Sequence, residues 1–167
     1  GRTVQDLDLH YAIYAESVRN LGTPVFPRSL MVSVLDAFGE DADILTVLDG
    51  DRPVASVFRL YHKGVVRPYW GGGLWDARRL RANDVMYYAL MNHARRRGCT
   101  RFDFGRSKVD SGAYFFKKNW GFEPEPLSYS TRTADGSPPR DVNPNSAKYR
   151  SIVSAWQKLP LPIANLI

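Results

Sequence analysis

Val65-Val66-Arg67-Pro68-Tyr69-Trp70-Gly71-Gly72-Gly73 reads as a β-strand that runs into three glycines and carries a proline at its centre. Proline has no backbone donor, so the ladder must break, bulge or lie at an edge at Pro68. The residues beyond the glycines decide the layout. Met86, Leu90 and Ala94 recur at helical spacing between Asn83, the expected cap, and about Arg97, with Gly98 as the stop. Arg95-Arg96-Arg97 in the last turn suit the negative end of the helix dipole. Thr100 to Gly105 is then a short strand, so strand, helix and strand form a β-α-β crossover whose strands pair in parallel.

Upstream, the β-branched run Ile44-Leu45-Thr46-Val47-Leu48, the turn Asp49-Gly50-Asp51-Arg52 and a strand from Pro53 to about Tyr61 read as a hairpin. Two helices precede it. Gln5–Leu21 carries the stripe Tyr11, Tyr14, Val18 and Leu21 and stops at Gly22 and Pro24; the second starts at Ser29 as cap, faces inward with Met31, Val34, Leu35 and Phe38, and ends at Gly39. Downstream, Ser111 opens a helix with Ala113, Phe116 and Trp120, ended by Gly121, and Leu127–Thr133 alternates as a strand. Asn145 caps a final helix burying Tyr149, Ile152, Val153 and Trp156. The order α-α-β-β-β-α-β-α-β-α predicts an α/β fold with a central mixed, mostly antiparallel sheet flanked by helices. One domain is expected over 1–167, with 141–167 as a C-terminal helix and tail extension.

Hydrophobic residues are 44% of the chain and charged ones 24%, which excludes disorder throughout. No apolar run approaches the roughly 20 residues that span a bilayer. Cys99 is the only cysteine, so no internal disulfide or cysteine metal cluster can form, in keeping with a reducing cytoplasm. His10, His62 and His93 share no metal-ligand spacing and read as structural; no metal site is expected. Charge is segregated: residues 1–62 hold five Lys/Arg against nine Asp/Glu, residues 63–120 thirteen against four, and residues 121–167 five against four. The basic middle third suits an anionic ligand such as a nucleotide, a phosphorylated carrier or RNA; a solvated basic face is the alternative.

Three stretches resemble a known family. Arg101-Phe102-Asp103-Phe104-Gly105-Arg106-Ser107, then Gly112 and Phe116-Lys117-Lys118-Asn119-Trp120-Gly121-Phe122, is similar to the signature of FemAB-like transferases. Tyr69-Trp70-Gly71-Gly72-Gly73 with Arg81-Ala82-Asn83-Asp84 resembles the same family. Asp141-Val142-Asn143-Pro144, Lys148-Tyr149-Arg150, Trp156 and Leu159-Pro160-Leu161-Pro162 resemble the C-terminus of its PEP-CTERM-associated subgroup, found in bacterial exopolysaccharide loci. The resemblance implies the GNAT acyltransferase fold and the C-terminal one of two tandem GNAT-like halves, so an N-terminal half is an implied partner. It implies transfer of an acyl or aminoacyl group to an amine of an amino-sugar or peptide-bearing envelope precursor, in the cytoplasm or at the inner face of the membrane. The donor is anionic, with acyl-CoA and aminoacyl-tRNA both open. GNAT enzymes that use acetyl-CoA usually cradle its pyrophosphate in a glycine-containing loop at a helix start. Here that stretch holds Arg78, Arg79 and Arg81 and no glycine after Gly73.

An amine attacking an acyl carbonyl needs a donor for the oxyanion, a base for the amine and an acid for the leaving group. A backbone N–H at the broken third strand fills the first role, which puts Tyr69, Trp70, Gly71 and Gly72 at the expected site; a plain edge strand is the alternative. Asp103 alternates with Phe102 and Phe104 near the end of a central strand, where α/β sheets place ligands. It is the expected base or amine-orienting group, or else a structural partner of Arg101 or Arg106. Tyr114 is the candidate proton donor, or an amphipathic core filler. Arg78, Arg81, Asn83, Arg106, Ser107 and Lys117 are the expected substrate- or anion-binding residues, and Trp70 and Trp75 could stack on a sugar or base. A rival reading is a non-catalytic half that grips an anionic carrier or tRNA, or docks onto a partner GNAT half.

Overall fold

The computed structural model describes residues 1–137 and 147–165. These fall into two compact units, residues 1–105 with the stretch from Ser151, and residues 106–150. The first unit holds α1 (Val4–Asn20), α2 (Arg28–Phe38), β1 (Ala42–Asp49), β2 (Arg52–His62), β3 (Val65–Gly73), α3 (Ala82–Arg96) and β4 (Arg101–Phe102). The second holds α4 (Gly112–Lys118); α5 (Ala147–Gln157) starts in it, and α5 and α6 (Leu161–Ala164) close the chain. The sheet runs β1-β2-β3-β4, antiparallel except for β3 and β4, which are parallel across the α3 crossover. This is the mixed, mostly antiparallel α/β sheet that the sequence predicts.

Alternation along the strands divides the core. One face carries Ile44 and Phe58 against Leu7 and Tyr14 of α1 and Met31 and Leu35 of α2. The other carries Val57, Tyr61 and Val66 against Met86, Leu90 and Ala94 of α3, the stripe expected from spacing. Each large apolar side chain buried here contributes about 1.5–3 kcal/mol. Both faces also hold a polar group. On the α1 face His10 is fully buried, its Nδ1 3.0 Å from Ser56 Oγ. Ser56 Oγ donates to Leu45 O at 3.2 Å and lies 3.0 Å from Thr46 Oγ1, so His10 Nδ1–H is the donor to Ser56. Nε2 is then the bare nitrogen, buried without a partner. On the α3 face Arg59 clamps Asp43 through Nε and, at 3.0 Å, through Nη2; both residues are buried, and Tyr61 OH donates to the same carboxylate at 3.3 Å. Burial first of all pushes the Tyr61 hydroxyl up, and Asp43 adds to the shift.

Several expectations fail at element ends. Pro27, not Ser29, is the N-cap of α2, and Arg81, not Asn83, that of α3. Leu21 and Phe38 lie exposed past the last turns of their helices' buried stripes, and Ile152 on α5 is exposed while Val153 and Trp156 are half-buried. The strand expected over Thr100–Gly105 pairs only at Arg101–Phe102. Leu127–Thr133 is no strand: alternation needs a partner ladder and a face to bury, and Leu127 and Tyr129 are 61% and 69% exposed. The Asp141–Pro144 motif and Asn145, and the side chains of Lys148, Tyr149 and Arg150, lie outside the described residues.

Burial lowers the His10 pKa to about 4 from an ordinary 6.5. The unfolded chain therefore binds this proton at higher pH than the folded one. Stability is complete above pH 6.5 and is lost as pH falls through 4, by about 3 kcal/mol from this residue. Burial lowers His93 too, in the same direction. Urea unfolding at pH 7 and pH 4 should show that loss, and His10→Gln, whatever its absolute stability, should flatten the slope; an unchanged slope would refute the assignment.

Candidate active site

Pro68 does what a proline in a strand must. The β2–β3 register shifts between Phe58↔Trp70 and Arg59↔Pro68, which leaves Tyr69 bulged out with no partner and 59% exposed. Past the bulge the ladder resumes through the glycines, with Val57↔Gly71, Ser56↔Gly72 and Ala55↔Gly73. Leu74 N donates to Val54 O at 2.9 Å. Antiparallel pairs alternate between hydrogen-bonded and non-hydrogen-bonded, so Ser56↔Gly72 bonds toward β2 while Gly71 and Gly73 direct N–H and C=O to the opposite side. On that side β4 pairs only with Val65 and Val66, and Asp103 N reaches Val66 O at 3.0 Å. Among the described residues no strand continues the pairing further. The outer edge of β3 from the bulge to Gly73 is thus an open row of backbone donors and acceptors between two parallel strands that have stopped pairing.

The glycines are there for packing as well. A Cβ on Gly72 would sit 2.5 Å from Ser17 Cβ on α1, and one on Gly73 would sit 2.8 Å from Ala77 Cβ and 3.1 Å from Asn83 Oδ1. The third, on Gly71, would only crowd Val57 Cγ2 at 3.2 Å. Asn83 lies within the first turn of α3, and its buried Oδ1 has no hydrogen-bond partner. Trp70 turns to the α1 face, edge-on to Phe58 with ring centroids 5.3 Å apart, and is core rather than a free stacking platform.

Between Gly73 and α3 the chain makes a turn around Trp75–Ala77 and enters the helix through Arg81, whose φ of 51° is the left-handed conformation that glycine adopts most easily. Three amides of this turn are spent on the turn itself: Ala77 N to Leu74 O, Leu80 N to Asp76 O and Arg81 N to Arg78 O. Asp76 is held by Arg52 at 2.7 Å, and that bond first of all lowers its pKa. Arg78, Arg79 and Arg81 are exposed along this turn; Arg78 lies 5.9 Å over the ring of Trp75, which is 80% exposed. The stretch between Gly73 and α3 thus presents arginine side chains and holds no glycine-rich backbone nest for a pyrophosphate.

Asp103 pairs with neither Arg101 nor Arg106. Its Oδ2 accepts from Arg67 Nε at 3.0 Å and its Oδ1 from Gly105 N at 2.8 Å. Arg67, on β3 just before the bulge, is not a candidate by sequence because only strand register brings it beside Asp103. Arg106, Ser107, Tyr114 and Lys117 belong to the second unit. There Ser111 Oγ caps α4 by accepting from Tyr114 N at 3.2 Å, Lys117 Nζ donates to Arg106 O at 3.3 Å, and Lys118 Nζ lies 5.8 Å over the Tyr114 ring. No group of metal-binding side chains is present among the described residues, nor is any of their helices long and apolar enough to cross a membrane.

A family model described as an acetyltransferase (GNAT) domain matches residues 1–118. No curated protein matches the chain. The match spans most of the 167 residues, and the chain belongs to the GNAT acetyltransferase family.

Because Gly72 faces α1 with no room for a methyl group, Gly72→Ala should lower stability by about 1–3 kcal/mol. Gly71→Ala should change it little, since Val57 can yield. Thermal melts of the two variants check this, and equal melting temperatures would contradict the packing.

Proposed function

We propose that this GNAT-family chain is the catalytic half of a FemAB-type acyl- or aminoacyltransferase. It moves an acyl group from an anionic donor to an amine on a cell-envelope or exopolysaccharide precursor. Family membership supports acyl transfer; the observation that carries the catalytic reading is the open outer edge of β3, where Gly71 and Gly73 aim backbone donors away from β2. An acyl carbonyl laid against that edge receives N–H groups fixed by the sheet, which need no reorganisation as the oxyanion forms. The amine nitrogen attacks the acyl carbon and passes its proton to the Asp103 carboxylate, which Arg67 and Gly105 N hold in one orientation. The tetrahedral intermediate then collapses and expels the donor's thiolate or ribose oxygen. Tyr114 is proposed as proton donor to that leaving group from its place in the sequence alone, and Arg106, Ser107 and Lys117 as further anion contacts on the same basis. Arg78 and Arg81 would hold the donor's phosphates. In this reading the chain is the C-terminal half of a two-half protein.

Asp103→Asn keeps the size of the side chain but removes the base. In the full-length enzyme it should cut kcat about 10²–10⁴-fold with an unchanged circular dichroism spectrum. Undiminished turnover would remove Asp103 from the mechanism.

A second reading, a half that grips a phosphate-bearing carrier or tRNA without catalysis, is favoured by the exposed Trp75–Arg78 stack beside Arg79 and Arg81. Arg78→Glu with Arg81→Glu should then weaken carrier binding and flatten its dependence on salt by about two phosphate contacts. Binding insensitive to salt would exclude nucleic acid as the ligand.

A further inference from the structure

α3 buries Ala82, Met86, Leu90 and Ala94, so its outer face is centred on Tyr88 and carries Arg81, Asp84, Val85, Arg95 and Arg96. All of these are exposed, Val85 by 53% and Tyr88 by 64%. A helix packed on a core ordinarily turns polar and charged groups outward. Here the middle of the outer face is a valine and a tyrosine, with cations at both ends about 20 Å apart. Arg97 turns away from this face, over the Tyr61 ring and onto Glu40 O, whereas Arg95 and Arg96 stay exposed.

The sheet separates two layers of opposite charge. α1 and α2, on one face, carry Asp6, Asp8, Glu16 and Asp36 against Arg19 and Arg28. On the other face the stretch from Trp75 to Arg101, which includes α3, carries seven arginines against Asp76 and Asp84, and Asp76 is already paired with Arg52. Such a molecule turns in the field of an extended anionic plane, its α3 side inward and its α1–α2 side away. A nucleic-acid backbone would match the arginines but set Val85 and Tyr88 against phosphate oxygens. A lipid surface gives headgroup phosphates to the arginines and an acyl boundary to the valine and the tyrosine ring.

We propose that the outer face of α3 is a docking surface for an anionic phospholipid membrane, with the helix lying in the headgroup plane. Val85 and Tyr88 enter the boundary between headgroups and acyl chains, and Arg95 and Arg96 pair with lipid phosphates. Attraction of this kind is peripheral and weakens with salt. It holds whether or not the chain transfers acyl groups, and these four residues are outside the groups assigned to that reaction.

Co-sedimentation tests it, with vesicles of phosphatidylglycerol and phosphatidylcholine in equal parts and vesicles of phosphatidylcholine alone. The protein should bind the first and not the second. Arg95→Gln with Arg96→Gln should weaken binding about 30-fold. Tyr88→Ser should weaken it about 5-fold and leave its slope against salt unchanged. Arg132→Gln with Lys158→Gln removes the same charge from exposed sites elsewhere and should change binding less than about twofold. Hydrogen exchange of the unaltered protein with and without the anionic vesicles reads the contact with no substitution, and slowing should fall on residues 82–97 and not on α1. Equal binding to both vesicles, equal loss in the control variant, or slowing on α1 overturns the proposal. So does duplex RNA that binds through Arg95 and Arg96 where vesicles do not, because the face is then a nucleic-acid interface.

Discussion

Two missing side chains let the end of β3 exist in its present form. Without a Cβ at Gly72, α1 closes down on one face of the strand; without one at Gly73, the turn before α3 closes on the other. Held from both sides, β3 stays in register with β2 as far as Gly73 even though β4 has ceased to support its other edge at Val66. A strand with one free edge inside a sheet would ordinarily recruit another strand. Here β4 stops short, and the glycines let α1 and the turn before α3 pack directly onto the strand as far as Gly73.

Polar groups within the core obey a comparable logic. Asp43 and Arg59 stand opposite each other on neighbouring strands, and a buried pair of this kind adds less to stability than to the choice of register. Slipping β1 by one residue against β2 would carry Asp43 to the α1 face and leave Arg59 buried alone. His10 and Ser56 do the same service between α1 and the sheet, at the cost of sensitivity to acid. On the α3 face Arg97 covers Tyr61, its guanidinium 4.0 Å from the ring centroid, and donates to Glu40 O at 2.8 Å, so part of the basic third is structural.

Legibility in the sequence was uneven for physical reasons. The hairpin, the α3 stripe of Met86, Leu90 and Ala94, and the irregularity at Pro68 could all be read, because each depends on local chemistry or on a period within one element. The extent of β4 and the strand expected at Leu127–Thr133 could not, because a strand is completed by its neighbour and neither stretch has one along its length. Arg81 took the helix cap from Asn83 for a related reason. Asn83 is drawn in against Gly73 by the packing of the turn, where its side chain can no longer reach back to cap.

For the site itself, composition and motif identified Gly71, Gly72, Arg78, Arg81 and Asp103 as candidates and suggested what chemistry they suit. Which amides face the open edge, and that Arg67 rather than Arg101 or Arg106 holds Asp103, came from the tertiary structure alone. By itself the sequence determined the α/β class, the order of its early elements and the break in the third strand, since proline, glycine and apolar spacing act within a few residues. Only the folded chain decided where pairing between β3 and β4 ends and which buried charges meet, since those depend on the register between strands far apart in sequence.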